Sequence, residues 1–234
     1  KRICRKSVGK KLLADVPVVF MAYDLMEHAG EDIRQRPLTE RRELLEGIVV
    51  ATQHPMLTLS PTLPFTTWED IVTHREHART ASIEGLMLKR LSSTYEVGRR
   101  RGDWWKWKVD PLSIDAVLTF SMQGHGRRAD LYTDHTFGLW HDGQLVTFAK
   151  AYSGLTDAEM LEVDAFVNKN TLERFGPVRQ VKAELVFEIA FEGISPSTRH
   201  KSGVAVRFPR IARWRKDKKA ADANTLDDLK SMIR

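Results

Sequence analysis

The chain has 234 residues, which favours one large domain or two modest ones. Its 37 Lys and Arg residues exceed its 31 Asp and Glu residues, giving a formal charge of +6, which suits a polyanionic partner but also fits an ordinary basic protein. The single cysteine, Cys4, excludes an intramolecular disulfide framework and a thiolate metal cluster, and no apolar run reaches the roughly 18 residues needed to cross a bilayer. We therefore expect a soluble, intracellular protein without a membrane partner.

The first part of the chain predicts strands that are covered by helices. Residues 16–26 are apolar and rich in β-formers, which predicts a buried strand, and the pattern that opens at Pro37 predicts a helix over 37–53. Thr67 and Asp70 form a capping-box pattern for a helix that runs to about residue 81. Residues 83–91 then predict a second buried strand.

Residues 109–112 mark the predicted domain junction and hinge, because Pro111 cannot donate to a β-ladder and restricts the residue before it. We therefore predict domains at 1–110 and 111–234. Thr156 and Glu159 form a capping-box pattern for a helix, and residues 224–232 predict a closing helix. Short strands are predicted at 114–122, 129–133, 136–140, 145–150, 185–191 and 204–208. Short strands with one inserted helix indicate a small barrel of the oligonucleotide-binding (OB) type.

Residues 104–108, WWKWK, place two lysines two positions apart. In a strand, Lys106 and Lys108 lie on one face, and Trp105 and Trp107 lie on the other. Two ammonium groups on one face repel each other, so the pattern fits either an anion site or a solvated pair beside a half-buried tryptophan edge. Glu84, in EGLMLKR at 84–90, adds a carboxylate, and a cationic cluster, RFPRIARWRKDK, follows at 207–218. Together these groups suit a triphosphate and its metal.

The order of these segments resembles the nucleotidyltransferase motifs of ATP-dependent DNA ligases. EGLMLKR is similar to motif IV, WWKWK to motif V, and FMAYDLM at 20–26 to motif IIIa. LVFEIAFEGIS at 185–195 leads into 207–218, which is similar to motif VI, and GRRRGDWWKWK resembles small bacterial repair ligases. The resemblance implies an α+β protein in which a partial nucleotidyltransferase (ATP-grasp-like) adenylation domain is followed by an OB-fold β-barrel domain.

The resemblance also implies roles for individual residues. Glu84 would bind the catalytic divalent metal, Mg²⁺ or Mn²⁺, while Lys106 and Lys108 would hold the α-phosphate of ATP and neutralise charge in the transition state. Tyr23 would stack on adenine, unless it is a core aromatic residue or Phe20 takes that place. Asp24 would support the fold. The other residues that the resemblance implies in ATP contact are Lys89, Arg100, Arg210, Arg213, Arg215 and Lys218.

For the barrel, a basic loop at Arg127 and Arg128 suits contacts with DNA phosphates. Tyr132, His135 and Trp140 offer ring surfaces to bases, although such aromatic rings also fill small barrels. A protein that seals nicks needs backbone contacts that do not depend on sequence. The resemblance thus implies nicked double-stranded DNA as the partner, in DNA replication, repair or recombination.

One element of the family is missing from the sequence. The nucleophile of the family is a lysine followed by any residue, Asp or Asn, and Gly, and no lysine of the chain has this context; Lys108-Val109-Asp110 is followed by Pro111. We therefore expect that an N-terminal segment of the adenylation domain, with the lysine, lies outside this chain and that the chain alone is inactive. We further expect a monomer in the bacterial cytoplasm, associated with the nucleoid.

Two alternatives stay open. RNA ligases and RNA capping enzymes share motifs I to V with DNA ligases, although the RxDK ending at residues 215–218 favours a DNA ligase. A non-catalytic OB-fold module could instead bind nucleic acid without any chemistry. Such a module has no need to keep Glu84 opposite Lys106 and Lys108, and metal-dependent nucleotide binding would distinguish the two.

Overall fold

The structure, a computed structural model, describes residue 2 and residues 5–81, 83–126 and 129–233, without the side chain of Arg79. The chain divides into two compact units, residues 1–109 and residues 110–234. Within the described ranges, no helix is long and apolar enough to span a membrane. The predicted loop at Arg127 and Arg128 lies outside the described residues.

The described residues of the first unit form three helices and three small sheets. The helices are α1 (Lys10–Asp15), α2 (Leu38–Thr52) and α3 (Trp68–Thr80), and the strands are β1 (Phe20–Ala22), β2 (Glu27–His28), β3 (Glu31–Asp32), β4 (Leu57–Leu59), β5 (Gly85–Lys89) and β6 (Trp104–Lys108). β1 pairs with β4 in parallel, while β2 with β3 and β5 with β6 form antiparallel pairs. The helices predicted after Pro37 and Thr67 are confirmed, and Asp70 Oδ2 accepts the backbone N–H of Thr67 at 2.9 Å in the expected capping box.

The prediction of a long buried strand at 16–26 is wrong. β1 has three residues, of which Ala22 is buried, whereas Phe20 is 71% exposed. β1 has β4 as its paired strand, and a two-stranded sheet gives little cover to either neighbouring side chain. The second predicted strand exists as β5, but its residues are half-buried or exposed. Apolar composition located both strands. It does not indicate whether other elements pack over them, and burial depends on that packing.

The second unit is built around one seven-stranded antiparallel sheet. Its helices are α4 (Asp157–Asn170) and α5 (Leu226–Ser231), and its strands are β7 (Leu112–Gln123), β8 (Tyr132–His141), β9 (Gln144–Ala151), β10 (Thr171–Phe175), β11 (Val178–Val181), β12 (Val186–Phe191), β13 (Gly193–Pro196), β14 (Val204–Arg207) and β15 (Arg210–Trp214). β7 is long enough to pair with β8 along one edge and with β11 and β12 on the other. β12 pairs in turn with β15.

The curled sheet is closed where its last strand meets the end of β9. The backbone N–H of Ile211 donates to the carbonyl of Ser153 at 3.0 Å. Gly154 has φ +114, and a Cβ at this position would lie 1.8 Å from the carbonyl oxygen of Ile211, so only glycine fits the contact. The enclosed core includes Phe137, Phe187 and the α4 residue Val163, all fully buried.

Several boundaries in the second unit differ from prediction. The helix after Thr156 is confirmed with its capping box, and it follows the third strand of the unit. A separate strand at 129–133 is wrong, because residues 129–131 form a turn and bend and β8 starts at Tyr132. The hairpin of β10 and β11 was not predicted, since Glu173, Arg174 and Arg179 interrupt any apolar run. Where 204–208 was predicted as one strand, β14 ends at Arg207 and Phe208 adopts φ +52 before β15.

Candidate functional site

The hairpin of β5 and β6 gathers the candidate residues of the first unit. Its register sets Gly85 opposite Lys108, Met87 opposite Lys106, and Lys89 opposite Trp104. Directly opposed residues of an antiparallel pair share one face of the sheet. One face therefore carries all three lysines, and we call it the lysine face: Gly85, Met87, Lys89, Trp104, Lys106 and Lys108.

Gly85 allows the two strands of the hairpin to approach closely at one end. Its φ is +136, and a Cβ would lie 2.3 Å from the carbonyl oxygen of Trp107. The backbone N–H of Val109 donates to the carbonyl of Glu84 at 3.0 Å, which ties the end of β6 to the residue before β5. The glycine thus fixes where Glu84 and Lys108 meet.

Glu84 and Lys108 form an ion pair at this end of the lysine face. Lys108 Nζ lies 3.3 Å from Glu84 Oε2, and the two side chains are 43% and 36% exposed, so both are reachable by a ligand. Lys106 is exposed, and no described residue forms an ion pair with it. A carboxylate at the end of a face that carries two ammonium groups can receive a phosphate group together with a cation.

Lys89, at the other end of the face, lies between two aromatic rings. Its Nζ is 3.9 Å from the ring centroid of Trp104 and 4.5 Å from that of Tyr23. Burial lowers the pKa of Lys89 below its ordinary value; Asp24 opposes this, and Arg42 and Arg41 add to it. Lys89 is therefore a partly desolvated cation beside a half-exposed tyrosine ring.

Tyr23 is not a core residue, so that interpretation of its aromatic ring is wrong. Tyr23 is 50% exposed and Phe20, in β1, is 71% exposed, so both rings are accessible for stacking, and Tyr23 is the one that contacts Lys89. A hydrogen bond with Tyr23 raises the pKa of Tyr95, and Tyr95 meets the Trp104 ring edge-on at 5.4 Å. Tyr23 is thus connected to the lysine face through two neighbouring aromatic rings.

Asp24 supports the fold, as expected. Arg41 donates from Nε to Asp24 Oδ1 at 2.8 Å and from Nη2 to Oδ2 at 3.0 Å, and the two side chains are 0% and 2% exposed. Arg41 Nη1 also donates to the carbonyl of Ser93 at 3.0 Å and to that of Arg36. This buried ion pair holds the backbone next to Tyr23, through Asp24, and the backbone of Ser93, through its carbonyl.

The four cations predicted at 210–218 are bonded to carboxylates of the second unit. Arg210 pairs with Glu192 at 2.9 Å and Arg213 with Glu188 at 2.7 Å. Arg215 Nη1 and Lys218 Nζ both contact the buried Asp115, at 2.7 Å and 2.6 Å, and Arg215 also pairs with Asp217. Contact with a phosphate would therefore require the exchange of existing ion pairs.

The other predicted positions are less well supported. Arg100 lies exposed in the segment between β5 and β6, which closes on itself where Arg90 meets Asp103 at 2.9 Å. In the barrel, Tyr132 and His135 are buried, and Trp140 Nε1 donates to the carbonyl of Ala220 at 2.7 Å. Tyr132 and His135 therefore form part of the barrel's interior, which agrees with the alternative that such rings fill a small barrel, whereas Trp140 is half-buried and contact of its ring with bases stays a prediction.

The divalent metal that the resemblance implies would rely on few protein ligands. The described residues contain no group of three or more His, Cys, Asp and Glu side chains able to hold a metal ion. Mg²⁺ often takes one or two carboxylates and completes its shell with water and substrate phosphates. Glu84 beside the lysine face fits that mode of binding, in which the nucleotide supplies further ligands.

Two residues of the site were not identified from the sequence. Trp104 and Met87 lie on the lysine face, whereas Trp105 and Trp107 lie on the opposite face, as predicted. Period-two alternation from Lys106 and Lys108 back to Trp104 was the available signal. On the opposite face, the Arg75 guanidinium lies 5.4 Å from the Trp107 ring, and its Nε donates to the carbonyl of Lys108 at 2.8 Å.

Comparison with known proteins gives matches along most of the chain. A family described as "ATP dependent DNA ligase domain" matches residues 1–108, and one described as "ATP dependent DNA ligase C terminal region" matches residues 128–218. A "Probable DNA ligase" of Koribacter versatilis is 36% identical over the full chain, and one of Opitutus terrae is 39% identical over 97% of it. The chain spans only 44% and 25% of the lengths of these relatives.

Solved structures agree at the level of the fold. One from a structure–function study of "Lig E DNA ligases" has a TM-score of 0.61 at 18% identity and covers 84% of this chain and 63% of its own. Another, "Pmar-Lig_PreS3", has the same TM-score and identity and covers 77% and 40%. The two units thus have the fold of a ligase-type nucleotidyltransferase region with its OB-fold barrel, which confirms the predicted fold class. The chain belongs to the ATP-dependent DNA ligase family.

Proposed function

We propose that the chain is the nucleotide-handling and DNA-handling part of an enzyme that seals nicks in double-stranded DNA with ATP. The observation that carries this proposal is the lysine face, where Lys89, Lys106 and Lys108 lie on one side of a hairpin with Glu84 at its end. Three cations along one face of two short strands suit a chain of phosphates. An enzyme of this kind would work in the bacterial cytoplasm, beside the nucleoid.

Each group of the lysine face has a role in this proposal. Lys106 and Lys108 bind the α-phosphate of ATP and neutralise the charge that develops on it during transfer. The exposed ring of Tyr23 stacks on the adenine, and Lys89 contacts the nucleotide beside it. Glu84 holds a divalent cation, Mg²⁺ or Mn²⁺, which when bound would withdraw charge from the phosphates.

The covalent step needs a lysine that this chain does not contain in the family's context. We propose that residues outside these 234 supply it: the amine attacks the α-phosphorus and pyrophosphate leaves. AMP then passes to a DNA 5′-phosphate, and the 3′-hydroxyl displaces AMP to close the nick. The chain alone would bind nucleotide and DNA without forming the covalent adenylate.

The second unit contributes the OB-fold barrel and the cations at 210–218. We propose that the barrel contacts DNA phosphates without reading sequence, with Arg127 and Arg128 among the contacts. Arg210, Arg213, Arg215 and Lys218 would orient the pyrophosphate leaving group once they exchange their present carboxylate partners. We expect the protein to act as a monomer.

The test uses ATP labelled at the α-phosphate, Mg²⁺, the 234-residue chain, and a longer form extended by an N-terminal segment that carries the lysine motif. Label should become covalently attached to the longer form alone, and Lys106→Met in the longer form should abolish the attachment. Lys150→Met, an exposed lysine of β9, is the matched control and should keep it. Label on the shorter chain would refute the proposed division of the site.

Nucleotide binding that is absent from both forms would favour a non-catalytic OB-fold module.

A further inference from the structure

Trp104 contacts Lys89 more closely than any other ring does among the described residues. The ammonium lies 3.9 Å from the indole centroid, well inside the limit of about 6 Å for a cation–π interaction. The ring of Tyr23 adds a second contact at 4.5 Å. Because Lys89 and Trp104 are directly opposed in the hairpin, the indole is the fixed wall against which the lysine side chain lies.

The indole is itself held from the side away from solvent. Its Nε1 donates to Ser93 Oγ at 3.2 Å, and Ser93 is 3% exposed. The Tyr95 ring meets it edge-on, with an interplanar angle of 87°. The carbonyl of Ser93 also accepts a hydrogen bond from Arg41, whose ion-pair partner Asp24 follows Tyr23 in the chain. The Trp104 ring is therefore linked through Ser93 to the buried ion pair of Arg41 and Asp24, which leaves it little freedom to move.

The surroundings of Lys89 otherwise disfavour its charge. Burial lowers the pKa of Lys89, and the charges of Arg41 and Arg42 act in the same direction. Asp24 favours the charged form, but its carboxylate is already occupied by two hydrogen bonds from Arg41. An aromatic face stabilises an ammonium without consuming a carboxylate, so the indole can keep Lys89 charged while its N–H groups stay available to a ligand.

We propose that Trp104 is a positioning residue for Lys89, holding the charged ammonium in place on the lysine face for contact with the nucleotide. The nucleotide part of this inference rests on the proposed function; the contact between the two side chains does not. Trp104 acts through Lys89 and need not touch the nucleotide. Its effect on nucleotide affinity should therefore vanish when Lys89 is replaced.

The test is a double-mutant cycle on the 234-residue chain with ATP and Mg²⁺ as the probe. Trp104→Leu should weaken ATP binding about five- to tenfold, and Trp104→Phe should recover most of the affinity, because phenylalanine keeps an aromatic face. Both variants lack the indole N–H, so the comparison isolates the ring from the bond to Ser93. Trp105→Leu, on the opposite face of β6, is the matched control and should bind as the wild type does.

In the Lys89→Met background, Trp104→Leu should have no further effect on the ATP dissociation constant. Equal losses in both backgrounds would overturn the inference, because Trp104 would then act on the nucleotide or on folding directly.

A second measurement does not require nucleotide. The titration of Lys89, followed by ¹³C NMR of its Cε without ATP, should move to lower pH in Trp104→Leu and stay near the wild-type midpoint in Trp104→Phe. An unchanged midpoint in Trp104→Leu would overturn the inference. A wild-type chain that binds no ATP but gives the expected titration would instead count against the proposed function and leave the contact in place.

Discussion

Lys218 Nζ lies 2.6 Å from Asp115 Oδ2, although the two residues are 103 positions apart in the chain. The same carboxylate oxygen accepts a hydrogen bond from Arg215 Nη1 at 2.7 Å, and Asp115 has only 8% of its side chain exposed. Two cations of the 207–218 segment are thus attached to the first strand of the barrel. Any role for them at a phosphate begins from this bonded state.

The Asp115 contact should contribute to stability. Asp115→Asn should lower the free energy of unfolding by about 2 kcal/mol, because a neutral amide replaces the buried partner of two cations. Urea denaturation followed by circular dichroism measures the change. Asp217→Asn, an exposed partner of the same arginine, is the control and should have little effect. Equal stability of Asp115→Asn and the wild type would contradict this prediction.

His135 should make stability depend on pH in a defined window. Burial lowers its pKa to about 4 from 6.5, and the attraction of Asp134 opposes the shift only in part. Between these values the unfolded chain binds a proton that the folded chain excludes. The free energy of unfolding should therefore fall as pH drops from about 6.5 to 4, by about 3 kcal/mol from this group alone.

The measurement is urea denaturation at pH 7 and pH 4.5 for the wild type and His135→Leu. The variant should lose less stability on acidification, and His28→Leu, at an exposed histidine, should behave as the wild type does. Hydrogen bonds from arginines lower the pKa values of Asp32 and Asp217 to about 2. The stabilisation that these two carboxylates provide is therefore lost only as pH falls below about 4, so it does not obscure this window. The same pH dependence in wild type and His135→Leu would contradict the assignment.

Gly85 should be intolerant of a side chain. Gly85→Ala should destabilise the chain by about 2 kcal/mol or more and weaken ATP binding, because the new Cβ would clash with the Trp107 carbonyl at a positive φ. Gly47→Ala on α2 is the control: nothing lies within 4 Å of its Cβ position, and it should raise stability by about 0.5–1 kcal/mol. Thermal unfolding and ATP titration of both variants test the pair.

Glu84 should link nucleotide affinity to the divalent cation. In the wild type, ATP should bind at least about tenfold more tightly with Mg²⁺ than with a chelator, and Glu84→Gln should remove most of this difference. Glu173→Gln, on exposed β10, should keep it. Isothermal titration with and without Mg²⁺ provides the comparison. A variant at Glu84 that retains the full metal effect would exclude this residue as the carboxylate involved.

Local signals in the sequence were sufficient for helices α2 to α5 and for the shared face of the two lysines in β6, but not for α1. Thr67 with Asp70, and Thr156 with Glu159, predicted helix starts that the structure confirms, since a capping box involves residues only three positions apart. Alternation in WWKWK placed Lys106 and Lys108 on one face for the same reason. These features depend on neighbours in the chain.

Features that depend on distant partners could not be obtained in this way. No local pattern indicates that Asp115 receives Lys218, or that Asp24 is enclosed with Arg41. The exposure of Phe20 and Tyr23 likewise depends on which surfaces cover them, and apolar composition alone predicted burial. Trp104 is the exception, because the alternation that identified the lysines also contained it.

The contact between Ile211 and Ser153 that closes the barrel has a consequence for biosynthesis. A ribosome that adds about 5–20 residues per second needs several seconds to travel from Ser153 to Ile211. During that interval, β7, β8 and β9 have been synthesised, but β15, the strand that closes the barrel, has not. The nascent chain therefore exposes an open sheet edge beside Gly154 until Ile211 has been synthesised, and the unpaired backbone groups of such an edge can pair with another chain.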